Sequence, residues 1–368
     1  MDKNLIWISL ISIYFLLLIN GLIFWVTILI KRKEVKRDKS YKKMYDVLLP
    51  DVIDYLKLQE LKPNNLLYDG SELKNDVIIN LIKTNAKSTL LTARQAFEDL
   101  GYVDGVIEKA EKKLTLKKIK QLGVMGSPKA FPILIQGTSK DDFEVVYQSC
   151  YALSLLPMKE QEAEKYVTVL LHTNILRDRM IEMIKNLSLS IDVYWRLLLS
   201  QKTELGKVVL LRVLEDRFHK ADPIIMEAVA DILNDPQSSK EIRIAAVVAL
   251  AATQNKNYVQ LLLDHYRREE AWEVRAAVAK ALNKYTEETS GDKSKIHILK
   301  EMMYDSSWWV RFNAAEVLAR KGLTGIDALV DISLNSDDQQ ASDLAFYILD
   351  ANYSVNESLR IFEEGNND

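Results

Sequence analysis

The sequence predicts an all-α protein in which a single N-terminal transmembrane helix is followed by a right-handed α-solenoid of paired helices. Two observations predict the anchor: residues 5–30 carry no charge and are mostly apolar, and a dense block of basic residues follows directly. A third observation predicts the solenoid, because short helical segments recur every 30–36 residues beyond residue 111. This spacing fits two antiparallel helices and is too short for a strand with its crossover connection.

The composition is that of a folded chain, since 48% of the 368 residues are hydrophobic and 27% are charged; these values exclude a disordered or collagen-like chain. The single cysteine, Cys150, excludes an internal disulfide framework and a cysteine-built zinc site, and it fits a reducing compartment. The net charge is 0 over residues 1–30, +6 over 31–43 and −9 over 44–368. An acidic body disfavours general nucleic-acid binding, so no nucleic-acid partner is expected.

The first predicted element is a membrane anchor over residues 1–30. Its 26 uncharged residues, 5–30, would form a helix of about 39 Å, longer than the hydrocarbon core of about 30 Å. A cleaved signal peptide is disfavoured because the apolar run is too long and a basic block replaces a small-residue cleavage site. Asn20 lies inside this run and either hydrogen-bonds to another helix or is a tolerated polar residue.

The second element is a basic juxtamembrane collar over residues 31–43. Its bases are Lys31, Arg32, Lys33, Lys36, Arg37, Lys39, Lys42 and Lys43. Positive residues close to a span stay in the cytoplasm, so we expect a single-pass cell-membrane protein with its N-terminus outside and its body in the cytoplasm. The collar either binds anionic lipid headgroups, at about 1 kcal/mol per base, or serves only as a topology signal.

The sequence pattern of residues 44–110 predicts an irregular helical adaptor. Apolar residues recur at helical spacing from residue 44 to residue 60, and Pro50 is expected to interrupt them. Two further short helices are predicted over residues 77–82 and 92–100, with loops between them.

The repeats begin after residue 111, and three segments align without gaps: EIRIAAVVAL (241–250), EVRAAVAKAL (273–282) and WVRFNAAEVL (309–318). In each segment a β-branched residue precedes an arginine, small residues follow, and a leucine closes the segment seven positions after the arginine. We call the arginine position the frame position; it is occupied by Arg243, Arg275 and Arg311. The same seven-residue step recurs more weakly from positions 115, 146, 177, 207 and 341.

Other amphipathic stretches lie between these segments, so each repeat is predicted to be a pair of antiparallel helices. One such pair cannot bury its apolar face alone, whereas stacked pairs form a continuous core. The array is expected over residues 111–354, followed by an acidic C-terminal tail over residues 355–368.

The V-R-x-A-A and V-R-x-x-A-A segments with their surrounding helix pairs resemble HEAT repeats, most clearly over residues 235–352 and more weakly over 115–234. The resemblance implies a polar ladder between an acidic residue in each turn and the arginine of the second helix. Two pairs keep the expected six-residue offset: Asp305 with Arg311, and Glu269 with Arg275. No such pair is expected at Arg243, where Gln237 takes the acidic position, or at Ala341.

No catalytic, metal or cofactor site is predicted, and the chain is expected not to be an enzyme. The four histidines are dispersed, and no phosphate-binding loop or nucleophile elbow occurs in the sequence. Cys150 is expected to be a small core residue. The paired aspartates at 141–142 and 337–338 precede second helices, where they favour helix N-termini.

Aromatic residues give the one suggestion of a binding surface. Trp272, Trp308 and Trp309 lie at the starts of second helices, with Tyr304 close by. In solenoids of the kind that this chain resembles, second helices line the concave surface. The aromatic residues therefore either anchor a protein partner or seal the seams between repeats. Adjacent Trp308 and Trp309 cannot point the same way, so at least one is expected to be exposed.

The leading functional hypothesis is a membrane-tethered, non-catalytic scaffold for a protein partner, an accessory subunit of a membrane or envelope-associated complex. This expectation rests on resemblance at the level of fold. Two alternatives remain: a HEAT-like enzyme acting on nucleic acid or on a cofactor protein, of the glycosylase or lyase type, and a single-span signalling relay.

Overall fold

A computed structural model describes residues 3–58, 63–86, 90–215, 223–285 and 293–364. Every regular element in these ranges is a helix, and they contain nineteen α-helices and three short 3₁₀ turns. The chain divides into two compact units, Met1–Pro157 (unit 1) and Met158–Asp368 (unit 2). The prediction of an all-α chain of stacked helix pairs is confirmed, and the fold is consistent with an α-solenoid.

The described part of unit 1 holds seven α-helices. Of these, α1 packs on α2, α4 packs on α5, and α7 packs on both α5 and α6. Their bounds are α1 Lys3–Leu58, α2 Glu72–Asn85, α3 Leu90–Asp99, α4 Tyr102–Lys112, α5 Leu116–Met125, α6 Phe131–Gly137 and α7 Phe143–Ser154.

Unit 2 holds twelve α-helices in the residues that the structure describes. Their bounds are α8 Glu160–Leu170, α9 Arg177–Lys185, α10 Ile191–Ser200, α11 Glu204–Glu215, α12 Pro223–Asn234, α13 Lys240–Ala252, α14 Asn257–Arg268, α15 Trp272–Ala281, α16 Lys293–Met302, α17 Trp308–Ala319, α18 Gly322–Asn335 and α19 Gln339–Glu364. The odd-numbered helices from α9 to α19 pack side by side as one layer. Each even-numbered helix from α10 to α18 packs on the odd-numbered helix that follows it.

The predicted repeat frame coincides with this layer. Positions 146, 177, 207, 243, 275, 311 and 341 lie in α7, α9, α11, α13, α15, α17 and α19, and position 115 is the N-cap of α5. The alanines of the aligned segments are buried except Ala277, which is half-buried, and their closing leucines are buried too. Small residues therefore let neighbouring second helices approach closely, which is the physical origin of the repeat signal.

The longest helix, α1, runs from Lys3 to Leu58 without a break, although it contains Pro50. The expected interruption at Pro50 is wrong, and no helix end separates the anchor, the collar and the adaptor. A proline inside a helix removes one hydrogen bond and costs about 3 kcal/mol. Tertiary packing offsets this cost, because Leu48, Val52 and Tyr55 are buried on the side of α1 that faces α2 and α3.

In the part of the chain that the structure describes, one helix segment, Tyr14–Lys57, is long and apolar enough to cross a membrane. None of its most apolar window is buried. The criteria are length and composition alone, and a signal sequence near an N-terminus meets them too.

At the other end of the chain, α19 continues to Glu364. Ten residues of the expected acidic tail, 355–364, are thus helical, and the last four lie outside the described residues.

Gly126 ends α5 in the left-handed region, at φ 62°, and its N–H donates to the carbonyl of Leu122 at 3.1 Å. A Cβ at this position would lie 2.8 Å from Nε of Arg94. We expect Gly126→Ala to lower the free energy of unfolding of unit 1 by about 1–2 kcal/mol, from the left-handed backbone and this contact together. Gly322→Ala is the matched control, because its φ is 63° and no atom lies within 4 Å. If thermal unfolding shows the same loss of stability for both variants, the contact with Arg94 contributes nothing to the cost of Gly126→Ala.

Candidate functional site

The turns that precede the second helices of unit 2 are joined by three arginine–carboxylate pairs, the turn ladder. The pairs are Arg243 with Glu269, Arg275 with Asp305, and Arg311 with Asp338. In each pair two hydrogen bonds of 2.8–2.9 Å join the guanidinium to the carboxylate. Such charge-assisted paired bonds are strong and fix the relative orientation of the two groups.

Each pair joins the arginine of one repeat to the acid of the next, which corrects the predicted pairing within one turn. The residue six positions before the arginine supplies its backbone carbonyl instead. Arg275 donates to the carbonyl of Glu269 at 3.1 Å, and Arg311 donates to that of Asp305 at 2.5 Å. The arginine therefore ties its own turn to the turn of its neighbour.

This arrangement also corrects the two expected gaps in the ladder. Arg243 has a carboxylate partner in Glu269 although Gln237 lies six residues before it. The repeat of Ala341 takes part through Asp338, which accepts from Arg311. The sequence signal for Asp338 was its place three residues before the frame position, close to the start of α19.

The same carboxylates cap the second helices that follow them. Glu269 accepts from the N–H of Ala271 at 2.9 Å, and Asp338 accepts from that of Ala341 at 3.0 Å. Asp305 accepts from the N–H of Ser307 at 2.8 Å. Each ladder acid thus joins two repeats and also binds a backbone N–H group at the start of a second helix.

Burial and hydrogen bonding set the charge states in the ladder. Burial would raise the pKa of Glu269, but hydrogen bonds from Arg243 and the Ala271 N–H outweigh it and hold this pKa below its usual value. The pKa of Asp305 is lowered in the same way by Arg275 and the N–H of Ser307.

Next to Glu269, the His265 ring nitrogen Nε2 lies 2.9 Å from its carboxylate. Burial lowers the pKa of His265 below its usual 6.5, and Arg243 and Arg268 act in the same direction, against the attraction of Glu269. His265 is consequently neutral at neutral pH and hydrogen-bonds to the ladder without adding a charge.

The stability of unit 2 is expected to fall as the pH falls. For His265, Glu269 and Asp305 the folded-state pKa lies below the unfolded value, so the unfolded state binds more protons. The loss begins below about pH 6.5, where unfolded histidine titrates, and steepens below about pH 4.5 as the carboxylates protonate. Thermal unfolding across this range measures it. His265→Gln should flatten the slope between about pH 6.5 and 5; an unchanged slope there would contradict this assignment.

The ladder also positions the predicted aromatic residues. Trp272 and Trp308 come three residues after the ladder acids Glu269 and Asp305, and they begin α15 and α17. They are 41% and 50% exposed, and Trp309 is 54% exposed. Both members of the Trp308–Trp309 pair are therefore about half exposed to solvent.

The rings on α17 hold one another in place. Trp308 contacts Trp309 edge to face, with centroids 4.9 Å apart, and stacks on Phe312 at 5.0 Å. The equivalent two positions of α7 in unit 1 carry Phe143 and Tyr147, which also stack, at 6.3 Å. The pair of positions three before and one after the frame position is thus an aromatic site in two repeats.

Sequence reasoning missed Phe312 and Phe346. Phe346 is 68% exposed on α19 and lies two helical turns after the position equivalent to Trp309, hence on the same side of its helix. The aromatic residues on this side of the second helices, four of them exposed and Phe312 half-buried, form the aromatic stripe: Trp272, Trp308, Trp309, Phe312 and Phe346.

The remaining residues that were predicted as binding residues are exposed, but they do not belong to the helices that carry the aromatic stripe. Tyr304, at 45% exposure, lies in the turn between α16 and α17. The collar bases Lys31, Arg32, Lys33, Lys36 and Arg37 are exposed along α1 in unit 1. Arg37 lies 4.0 Å from the carboxylate of Asp76 on α2.

A cavity, a metal cluster or a reactive thiol could mark a catalytic centre. A cavity of about 390 Å³ lies beside Arg243, His265 and Glu269. Among the residues that the structure describes, no three histidine, cysteine or carboxylate side chains cluster as metal ligands would. Cys150 is fully buried on α7, and burial raises the pKa of its thiol to about 12.

The family comparison agrees with the repeat pattern: residues 226–319 match the model for HEAT repeats. No curated protein matches the chain. A solved structure of human deoxyhypusine hydroxylase in complex with glycerol is similar at 14% identity and a TM-score of 0.29, covering 83% of this chain and 97% of that chain. A similarity at this level says nothing about function.

Proposed function

We propose that this chain, which carries HEAT repeats over residues 226–319, is a membrane-tethered, non-catalytic scaffold whose aromatic stripe binds a protein partner. The observation that most strongly supports this proposal is the aromatic stripe. Its two tryptophans on α17 are half-exposed yet held by ring contacts, and the turn ladder fixes the helix on which they lie. Rigid, exposed aromatic side chains are the residues that anchor protein interfaces at low entropic cost.

The charge beside the stripe indicates the chemistry of the partner. Residues 331–352, whose side chains the structure describes, hold five acidic residues and no lysine or arginine. Asp343 and Asp350 are exposed on α19, on either side of Phe346 in sequence. A fitting partner presents apolar pockets surrounded by lysine and arginine. The cytoplasmic loops of integral membrane proteins are rich in these residues.

The apolar part of α1 supports the tether. Among the residues that the structure describes, its side chains from residue 14 to residue 30 are mostly exposed. A spanning helix would confine the repeats to the membrane surface and raise their effective concentration for a membrane partner. The basic collar directs the repeats to the cytoplasmic side. Protease added to sealed cells should leave units 1 and 2 intact; digestion of both from outside would overturn this orientation.

Site-specific photo-crosslinking of the full chain tests the partner surface. A photoreactive side chain at Trp309 or Phe346 should give one discrete adduct with a membrane-fraction protein. The same side chain at Gln260, exposed on the first helix α14, is the matched control and should give none. Equal adducts at all three positions, or no adduct at Trp309 and Phe346, would count against the proposal.

The enzymatic alternative would need a basic groove or two carboxylates in opposed environments across a cleft. The net charge of −8 over residues 158–368 disfavours a nucleic-acid substrate. A signalling relay would have to act through partner spans, for which Asn20 is the polar group within the apolar run.

A further inference from the structure

A second basic segment lies at one end of unit 1, away from the collar in sequence. Residues 109–120 hold six lysines and one glutamate, in the end of α4, the following turn and the start of α5. These six, the basal lysines, are Lys109, Lys112, Lys113, Lys117, Lys118 and Lys120. Four of them are exposed: Lys112, Lys113, Lys117 and Lys120.

Contacts place this segment beside the start of α2. The ammonium of Lys117 lies 2.7 Å from the carboxylate of Asp76 and 3.8 Å from that of Glu72. Lys109 donates to the carbonyl of Gly70 at 2.8 Å. The turn between α4 and α5 therefore lies next to the first turn of α2.

The carboxylate of Asp76 also shows where the basal lysines lie along α1. Asp76 lies 4.0 Å from Arg37, and one turn later Asn80 donates to the hydroxyl of Tyr41 at 2.9 Å. The two helices thus run in the same direction here, and the start of α2 points toward the apolar run. Arg37 follows Ile30 by seven residues, or about 10 Å of helix, which is close to the Debye length in physiological salt.

A cavity of about 200 Å³ opens among these residues. It is lined by Lys109, Lys117 and Lys118, and by Glu72 and Asn75 of α2. Each of the three ammonium groups has a protein partner: Lys109 donates to the Gly70 carbonyl, Lys117 pairs with Asp76, and Lys118 donates to the Lys109 carbonyl at 2.6 Å. Asn75 is only 4% exposed, and its side-chain oxygen has no hydrogen-bond partner. A buried acceptor without a donor, next to three ammonium groups, suits a ligand that carries both a phosphate and a hydroxyl group.

We propose that the basal lysines bind the headgroups of anionic phospholipids in the membrane that α1 crosses, with one headgroup entering the cavity beside Asn75. This inference rests on the proposed membrane tether. The phosphate contacts the lysines, and a headgroup hydroxyl donates to Asn75. The bilayer then holds unit 1 at two places, along α1 and at the turn between α4 and α5, which fixes the orientation of unit 1 on the membrane.

The test uses the full chain in nanodiscs of phosphatidylcholine alone or mixed with phosphatidylglycerol, and measures amide hydrogen exchange over residues 109–121. Exchange there should slow by at least about threefold in the mixed discs. The variant K112Q/K113Q/K117Q, which removes the cavity lysine Lys117 and two other exposed basal lysines, should lose this protection. The variant K140Q/K165Q/K202Q is the matched control, because it removes three exposed lysines elsewhere and gives the same net charge with the collar intact. This control should retain the protection.

The outcomes separate the two proposals. A chain that does not enter nanodiscs would overturn the tether and the lipid site together. A chain that enters, but exchanges equally in both lipids, would overturn the lipid site alone. Equal protection by inorganic phosphate in phosphatidylcholine discs would also overturn it, because the cavity would then be a site for a soluble anion.

Discussion

Asp305→Ala is expected to lower the free energy of unfolding of unit 2 by about 3–5 kcal/mol, the usual cost of leaving one partner of a buried ion pair without the other. The side chains of Asp305 and Arg275 are only 5% and 14% exposed. The substitution also removes the acceptor for the Ser307 N–H and for the hydroxyl of Tyr266. Thermal unfolding of the full chain should show a fall in Tm of roughly 6–20 °C for a unit of this size.

Two comparisons identify the buried charge as the cause. Asp264→Ala removes a carboxylate that lies 3.5 Å from Arg267, where both side chains are 48% exposed. Its expected cost is below about 1 kcal/mol. The double variant Arg275→Met with Asp305→Leu removes both charges and should recover much of the lost stability. If the double variant is no more stable than Asp305→Ala, the helix cap matters more than the ion pair.

The repeat frame could be predicted from sequence because it records local packing. Small residues after Arg243, Arg275 and Arg311 are needed wherever two second helices approach closely, so their spacing appears directly in the sequence. Helical geometry likewise predicted that at least one of Trp308 and Trp309 would be exposed.

The partners in the ladder could not be predicted in this way. The acid six residues before an arginine is near in sequence, but its carboxylate faces the preceding repeat, 26–30 residues away. That choice depends on how neighbouring hairpins stack, and a single turn contains no signal for it. Arg243 illustrates the point, because Gln237 suggested a gap where Glu269 supplies the carboxylate.

The continuity of α1 is a second case in which tertiary packing prevails over local preference. Pro50 favours a helix end, whereas the burial of Val52 and Tyr55 favours continuation. The result matters for function, because the collar belongs to the same helix as the residues that pack on α2. No flexible linker separates the apolar run from unit 1.

Trp309→Ser is expected to weaken partner binding by about 30-fold or more, equivalent to about 2 kcal/mol or more. Roughly 100 Å² of the Trp309 ring is exposed in the free chain, and covering it in a complex contributes about 2–3 kcal/mol. The affinity is measured for the protein cross-linked at position 309, with the full chain in detergent. Because 54% of the Trp309 surface is already exposed, its loss should leave Tm nearly unchanged.

Leu334→Ser is the matched control, since Leu334 is 76% exposed at the end of the first helix α18. It removes a comparable exposed apolar side chain outside the aromatic stripe, so binding should stay within about twofold of the original chain. Equal weakening by both variants would indicate nonspecific apolar adhesion. If Trp309→Ser binds the partner as tightly as the original chain, the aromatic stripe is not the contact surface. The structural role of the turn ladder in α15 and α17 would be unaffected by that result.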